Sequence, residues 1–272
     1  PAGFLEETVP IESHESVERM REYLLENLTG ARTHDSGCVV AEKSDEDSDK
    51  TVVLNTHMDT VAPHVTYERD EGVVRGRGSC DAKGPLAAMV SAYEGFDTAE
   101  SDRTVRLVVS PDEETLSRGL HEYLNEEGGD DIDFAVIGEP TSLDVCTAAK
   151  GRFEATVEFV GESAHAASDG GTSAVSCASE AVRRLEETEP SYDELLGESR
   201  LTVTRFEGGE ASNRVPERAS LTLDRRPVPP ETSDDFVALV NETLEGIECD
   251  HKVSLADRPT PFLEAFSTDG GG

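Results

Sequence analysis

TVVLNTHMDT, residues 51–60, starts as a short apolar run and ends in an imidazole, His57, and an acid, Asp59. An apolar run this short, with apolar side chains on both faces, reads as a buried parallel strand. Two further runs share its texture, TVRLVVS at 104–110 and FAVIG at 134–138, and the stretches between are long enough for crossover helices such as 84–95. The expected fold class is therefore α/β, a mainly parallel twisted sheet flanked by helices. In such a sheet, ligands gather beyond the carboxyl ends of the strands, in a crevice the helices leave open. Each run here exits into chemistry: His57 and Asp59 from the first, Asp112, Glu113 and Glu114 from the second, Glu139 from the third.

A fourth segment joins this set. GRGSCDAKGP, residues 76–85, places Asp81 among glycines just before the 84–95 helix. One imidazole with several carboxylates is a donor set that suits zinc or a similar divalent ion. An acid bridging two ions must sit on backbone that turns sharply and approaches closely, which Gly76, Gly78 and Gly84 allow. His57 and Asp59 are two apart, so on an extended chain they point to one side, and Asp59 can hold the imidazole nitrogen that faces away from a metal. Glu113 and Glu114 are adjacent and point differently; one can bind metal while the other takes a proton from the attacking water. GRGSCD is not a dinucleotide fingerprint, because Asp81 replaces the third glycine, and no GxSxG elbow supports serine hydrolysis.

Composition narrows the classes further. Of 272 residues, 58 are acidic and 24 basic, a formal charge of -34, and lysine appears only at Lys43, Lys50, Lys83, Lys150 and Lys252. Such a surface repels nucleic acid and anionic membranes, so neither is an expected partner. Acids spread from end to end, with no tryptophan, fit the soluble shell of a protein from a salt-loving cytoplasm. No run reaches the ~18 apolar residues of a membrane span. Glu6, Glu7, Glu12 and Glu15 fit no signal peptide. The expected location is cytoplasmic. The cysteines, Cys38, Cys80, Cys146, Cys177 and Cys249, are widely spaced and odd in number, so no disulfide framework or zinc finger is expected.

After Glu139 the pattern changes. KGRFEATVEFV at 150–160 alternates like a half-exposed strand, 171–187 reads as a helix, 200–206 and 218–226 as strands, 233–246 as a helix and 251–256 as a strand. The order β-α-β-β-α-β is a ferredoxin-like unit. The expected organisation is a catalytic domain at 1–148, continued by 259–272, with a ferredoxin-like α+β lid or dimerisation domain inserted at 149–258. Near the N-terminus, 15–28 reads as an amphipathic helix stopped by Gly30.

The motifs THMDTV (56–61), GRGSCDAKG (76–84), PDEET (111–115), IGEPTSL (137–143), AAKGR (148–152), AHAA (164–167), NRVP (213–216) and LDRRP (223–227) stand in the order seen in the M20 family of zinc aminoacylases and peptidases, which the chain resembles over nearly its whole length. Within that family it looks most like acetylornithine deacetylase. The resemblance implies hydrolysis of a linear amide, most simply removal of an N-acyl group from an amino acid such as N-acetylornithine. Succinyl-diaminopimelate desuccinylase, or a di- or tripeptidase or carboxypeptidase, is the alternative within the family, and a non-catalytic metal or amino-acid binding protein the alternative outside it. It further implies two Zn2+ ions, with Co2+ or Mn2+ as substitutes: His57 and Glu139 on one, Glu114 on the other, Asp81 between them, and Glu113 as general base. His165 would stabilise the oxyanion, and Asn213 and Arg226 would grip the substrate carboxylate. A homodimer through 149–258 is implied as well. The family's last metal-binding histidine, near the C-terminus, has no candidate here, since His251 falls in a predicted strand of the second domain.

Overall fold

The computed structural model describes residues 1–45, 48–129, 131–256 and the backbone of Leu263–Glu264. The chain divides into two compact units, Pro1–Asp144 and Val145–Gly272. The first unit runs α1 (Ala2–Thr8), α2 (Glu18–Asn27), β1 (Arg32–Thr33), β2 (Val39–Lys43), β3 (Lys50–His57), a small hairpin of β4 (Glu68–Asp70) and β5 (Val73–Arg75), α3 (Lys83–Glu94), β6 (Arg103–Ser110), α4 (Arg118–Glu127) and β7 (Phe134–Ile137). Its sheet has the order β1-β2-β6-β3-β7. Strand β3 pairs in parallel with both β6 and β7, while β2 is antiparallel to β6 and to β1.

Strand β6 shows why helices cover both faces. Its Val105, Leu107 and Val109 pack with Met20 and Leu24 of α2 and Leu86, Met89, Val90 and Tyr93 of α3. Its Val108 turns the other way, toward Val40, Val53 and Tyr123 of α4. The alternation of a strand thus feeds two cores from one run of apolar residues.

Two sequence expectations change here. The sheet is mixed rather than mainly parallel, because β2, whose apolar part is only Val39, Val40 and Ala41, joins it antiparallel. And among the described residues β7 is an edge rather than a buried strand, with Phe134, Val136 and Ile137 each about half exposed, at 51%, 51% and 57%. Apolarity alone does not separate an edge strand from a central one.

The second unit contains β8 (Ala148–Ala149), β9 (Phe153–Val160), α5 (Ala174–Glu186), the hairpin β10 (Tyr192–Asp193) and β11 (Gly197–Glu198), β12 (Arg200–Gly208), β13 (Arg218–Arg226), α6 (Ser233–Thr243), β14 (Asp250–Leu255) and β15 (Leu263–Glu264). Its main sheet, ordered β12-β13-β9-β14, is antiparallel throughout. Phe153, Ala155, Val157 and Phe159 of β9 alternate inward onto α5 and α6. Helix α6 starts at a reciprocal cap, Thr232 with Asp235. Strand β15 pairs with β8, and the rest of 259–272, expected to continue the first domain, lies outside the described residues.

The cysteine expectation is also corrected. Cys177 of α5 and Cys249, just before β14, form a disulfide across 72 residues, with Cα atoms 6.1 Å apart. Spacing along the chain did not reveal it because the fold, not the sequence interval, brings the two together. No helix among the described residues is long and apolar enough to cross a membrane.

Candidate metal centre

The parallel register of β3, β6 and β7 aligns their carboxyl ends: His57 stands beside Ser110, and Asn55 beside Ile137. The chain leaves these three ends as His57–Asp59, Pro111–Glu114 and Gly138–Glu139, and the loop before α3 brings Asp81. The glycines of that loop have specific work. Gly78 adopts a left-handed conformation at φ +83, and a Cβ there would stand 2.9 Å from Thr60 Cγ2; a Cβ at Gly84 would stand 2.6 Å from the Ser79 carbonyl oxygen.

His57 is fully buried. Its Nδ1 donates to the Asp59 carbonyl oxygen at 3.0 Å and to Asp59 Oδ1 at 3.2 Å. Its Nε2 faces Asp81 Oδ1 at 3.0 Å and Glu113 Oε2 at 3.8 Å. Asp59 does more than orient the ring. Oδ1 also accepts the N–H of Glu113 at 3.1 Å, and Oδ2 accepts the N–H of Glu114 at 3.0 Å, so one carboxylate sets the imidazole and the Glu113–Glu114 turn together. The sequence suggested only the first of these roles. Asp112, by contrast, takes no part in the cluster: its carboxylate accepts the N–H groups of Arg118 and Gly119 and caps α4.

Two sets of possible donor atoms emerge, His57 with Asp81 and Glu114, and His57 with Glu113 and Glu139, each set lying within 4.8 Å. The electrostatics of the cluster are those of a site short of positive charge. Burial raises the Glu139 carboxyl to about 7, with the charges of Glu113, Asp81 and Glu114 adding to it against the pull of His57. Burial and then the charge of Asp81 push Glu114 upward too. For His57, burial works against protonation, but the hydrogen bond and charge of Asp59, followed by Glu113 and Glu139, outweigh it and push the ring up to about 9.

This arrangement fits a divalent cation. With Nδ1 committed to two acceptors, a neutral His57 turns a lone pair on Nε2 toward a carboxylate oxygen 3.0 Å away. Two lone pairs at that separation require a proton or a cation between them. Ligands each about 2.0–2.2 Å from one ion lie roughly 3 Å apart, as these do.

The remaining predicted residues lie in the second unit. His165 is exposed; its backbone bridges to Arg214, and its Nδ1 accepts the N–H of Ala167 at 3.1 Å. The carbonyl of Asn213 accepts the N–H of Ala166 at 2.9 Å, so His165 and Asn213 sit together beyond Val160 and Arg218. Arg226 is at the far end of β13, exposed, with Nε donating to Asp224 Oδ1 at 2.8 Å. Eight strand steps, roughly 26 Å, separate the two ends. Within one protomer, Asn213 and Arg226 therefore do not meet on one carboxylate. Arg225 is buried in an ion pair with Glu231.

An α/β unit that gathers one imidazole and four carboxylates from the carboxyl ends of its parallel strands and the loop before α3 presents a candidate metal site. More narrowly, residues 53–267 match Peptidase family M20/M25/M40, and the chain belongs to that family. An uncharacterized metallohydrolase of Methanocaldococcus jannaschii is 34% identical over 227 residues, 80% of this chain and 63% of that protein. Acetylornithine deacetylase of Photorhabdus laumondii is 32% identical over 206 residues, 73% of this chain and 53% of that enzyme. The chain thus spans between half and two thirds of the length of these relatives. A solved Staphylococcus aureus tripeptidase shares the fold, with a TM-score of 0.75 at 20% identity over 99% of this chain and 77% of that one.

Proposed function

We propose that this protein is a metal-dependent amidohydrolase that removes the acyl group from an N-acyl amino acid, with N-acetylornithine as the foremost substrate. The observation that carries the reading is His57, with Nδ1 fixed by Asp59 and Nε2 set against the Asp81 carboxylate among three further acids. His57 and Glu139 would hold one ion and Glu114 the other, with Asp81 shared between them. Zinc suits a mixed nitrogen and oxygen donor set, and Co2+ or Mn2+ would substitute. Ions held there would polarise the acyl carbonyl and acidify the attacking water.

Glu113 is the residue left for proton transfer. Its backbone is pinned by Asp59 while its side chain is partly exposed, so it can take a proton from the attacking water and deliver it to the departing amine. His165 would donate to the developing oxyanion. Arg226 would bind the amino-acid carboxylate, for which a guanidinium has the matching fork geometry, and Asn213 would add a second contact. Because Asn213 and Arg226 stand at opposite ends of one sheet, a homodimer through 149–258 accommodates both roles, with one end from each protomer serving each site. The surrounding acid surface suits a protein working in high salt in the cytoplasm.

The test is a hydrolysis panel on zinc- or cobalt-loaded protein in molar KCl: N-acetylornithine, N-succinyl-diaminopimelate and simple dipeptides. N-acetylornithine turnover that EDTA abolishes and added metal restores is the expected outcome. Preferential cleavage of dipeptides would move the substrate to the peptidase side of the family, and bound metal without any turnover would remove the enzymatic reading.

A further inference from the structure

Lys83 stands two residues after Asp81, as the first residue of α3, and is 1% exposed. Its ammonium does not turn to the acids. Nζ donates to the carbonyl oxygens of Thr8, at 3.1 Å, and Ile11, and it makes no ion pair among the described residues. Burying an ammonium with no carboxylate is costly, and the N-terminal end of a helix disfavours a cation as well. What the charge holds must offset that cost.

It holds the segment 8–13. Val9, wholly buried, lies over Gly76, where an added Cβ would meet Val9 Cγ1 at 2.5 Å. The Ser13 carbonyl accepts the N–H of Thr60 at 3.2 Å, one residue beyond Asp59. From the other side, the Lys83 N–H donates to the Gly78 carbonyl at 2.9 Å, and the Lys83 stem fills the space above Gly78, 3.0 Å from where a Cβ would be. Segment 8–13 therefore touches both the loop that carries Asp81 and the strand exit that carries His57 and Asp59, and Lys83 is the fastening between them.

Resting on the metal-site reading above, we infer that Lys83 is a positioning residue: its ammonium fastens segment 8–13 across the 76–83 loop and so fixes the Asp81 carboxylate against His57. The sign of the effect separates this from plain electrostatics. A cation close to a site for divalent ions repels them, so charge alone predicts that removing it tightens metal binding. Loss of positioning predicts the opposite.

The experiment is a Co2+ titration, followed by visible absorption and equilibrium dialysis, of the metal-free protein, Lys83→Met and Val9→Ala, with thermal unfolding of each. Lys83→Met keeps the length of the side chain and removes its donors. It is expected to bind cobalt about 10–100-fold more weakly while still folding, the range typical for residues that orient ligands. Val9→Ala, which loosens the same segment without changing charge, is expected to weaken binding by a smaller factor. Cobalt affinity in Lys83→Met equal to or tighter than that of the unaltered protein overturns the inference, as does a lowered melting temperature with unchanged affinity. If Lys83→Met does not fold, Val9→Ala decides in the same way. Should the unaltered protein itself take up no cobalt, the metal-site reading fails first and this inference falls with it.

Discussion

In the first unit, five titratable side chains from four separate segments form two donor sets that share His57, each set lying within 4.8 Å. In the second, His165 and Asn213 occupy one end of a four-stranded sheet and Arg226 the other. The contrast follows from the sheets. Parallel strands send all their carboxyl ends to one edge, so successive exits deliver side chains to a common rim. An antiparallel sheet alternates its ends, so residues at successive turns are driven apart by the length of a strand. The first arrangement gathers its candidate residues at one rim, whereas the second holds them at two separate ends.

Substitutions can break this comparison. The largest effect is expected from Glu113→Gln, which keeps size and removes the proposed base: hydrolytic turnover should fall by roughly 10²–10⁴-fold with metal content unchanged. Steady-state kinetics with metal analysis checks it, and loss of a metal ion alongside activity would make Glu113 a ligand. In the second unit, the Cys177–Cys249 link closes a 72-residue loop, for which chain entropy alone gives about 4 kcal/mol. Cys177→Ala with Cys249→Ala should lower the unfolding free energy in urea by that order while leaving metal affinity in the first unit unaltered.

Smaller effects sharpen the same contrast. Asp59→Asn leaves an acceptor for only part of what the carboxylate holds, His57 Nδ1 and the two N–H groups of Glu113 and Glu114. Metal affinity should drop about 10–100-fold, measured by calorimetric titration. Least in size is the pH response of the metal-free protein. Glu139 goes from an ordinary 4.5 to about 7 on folding, and His57 from 6.5 to about 9. Both folded values are raised, so the stability they contribute is complete below the ordinary values and lost as pH rises, from about 4.5 to 7 for Glu139 and from 6.5 to 9 for His57. Urea unfolding in EDTA between pH 5 and 9 should show stability declining, and added zinc should flatten the slope. A rise in stability over that interval would contradict the electrostatic account of the cluster.

Much of this was legible in the chain itself. The second unit's pattern was clear because each element buries one face: KGRFEATVEFV alternates, and the helix at 174–186 follows a full turn period. The strand exits of the first unit were legible because short apolar runs lead directly into His57, Glu113, Glu114 and Glu139. Other features were not. Strand β2 offers three apolar residues before Glu42 and Lys43, too few to announce a strand. The exposure of β7 depends on which neighbours a sheet provides, and the disulfide on which helix faces which strand. The double task of Asp59 and the reach of Lys83 to Thr8 and Ile11 are contacts across dozens of residues, for which no local spacing gives a signal.

The most direct test of the central claim, that His57 and Asp81 share a cation with the neighbouring acids, is an anomalous-scattering map at the zinc edge from crystals of the zinc-loaded protein. The account predicts a peak about 2.0–2.2 Å from both His57 Nε2 and an Asp81 carboxylate oxygen. Zinc peaks elsewhere in the molecule, with none within ligand reach of that pair, would contradict it.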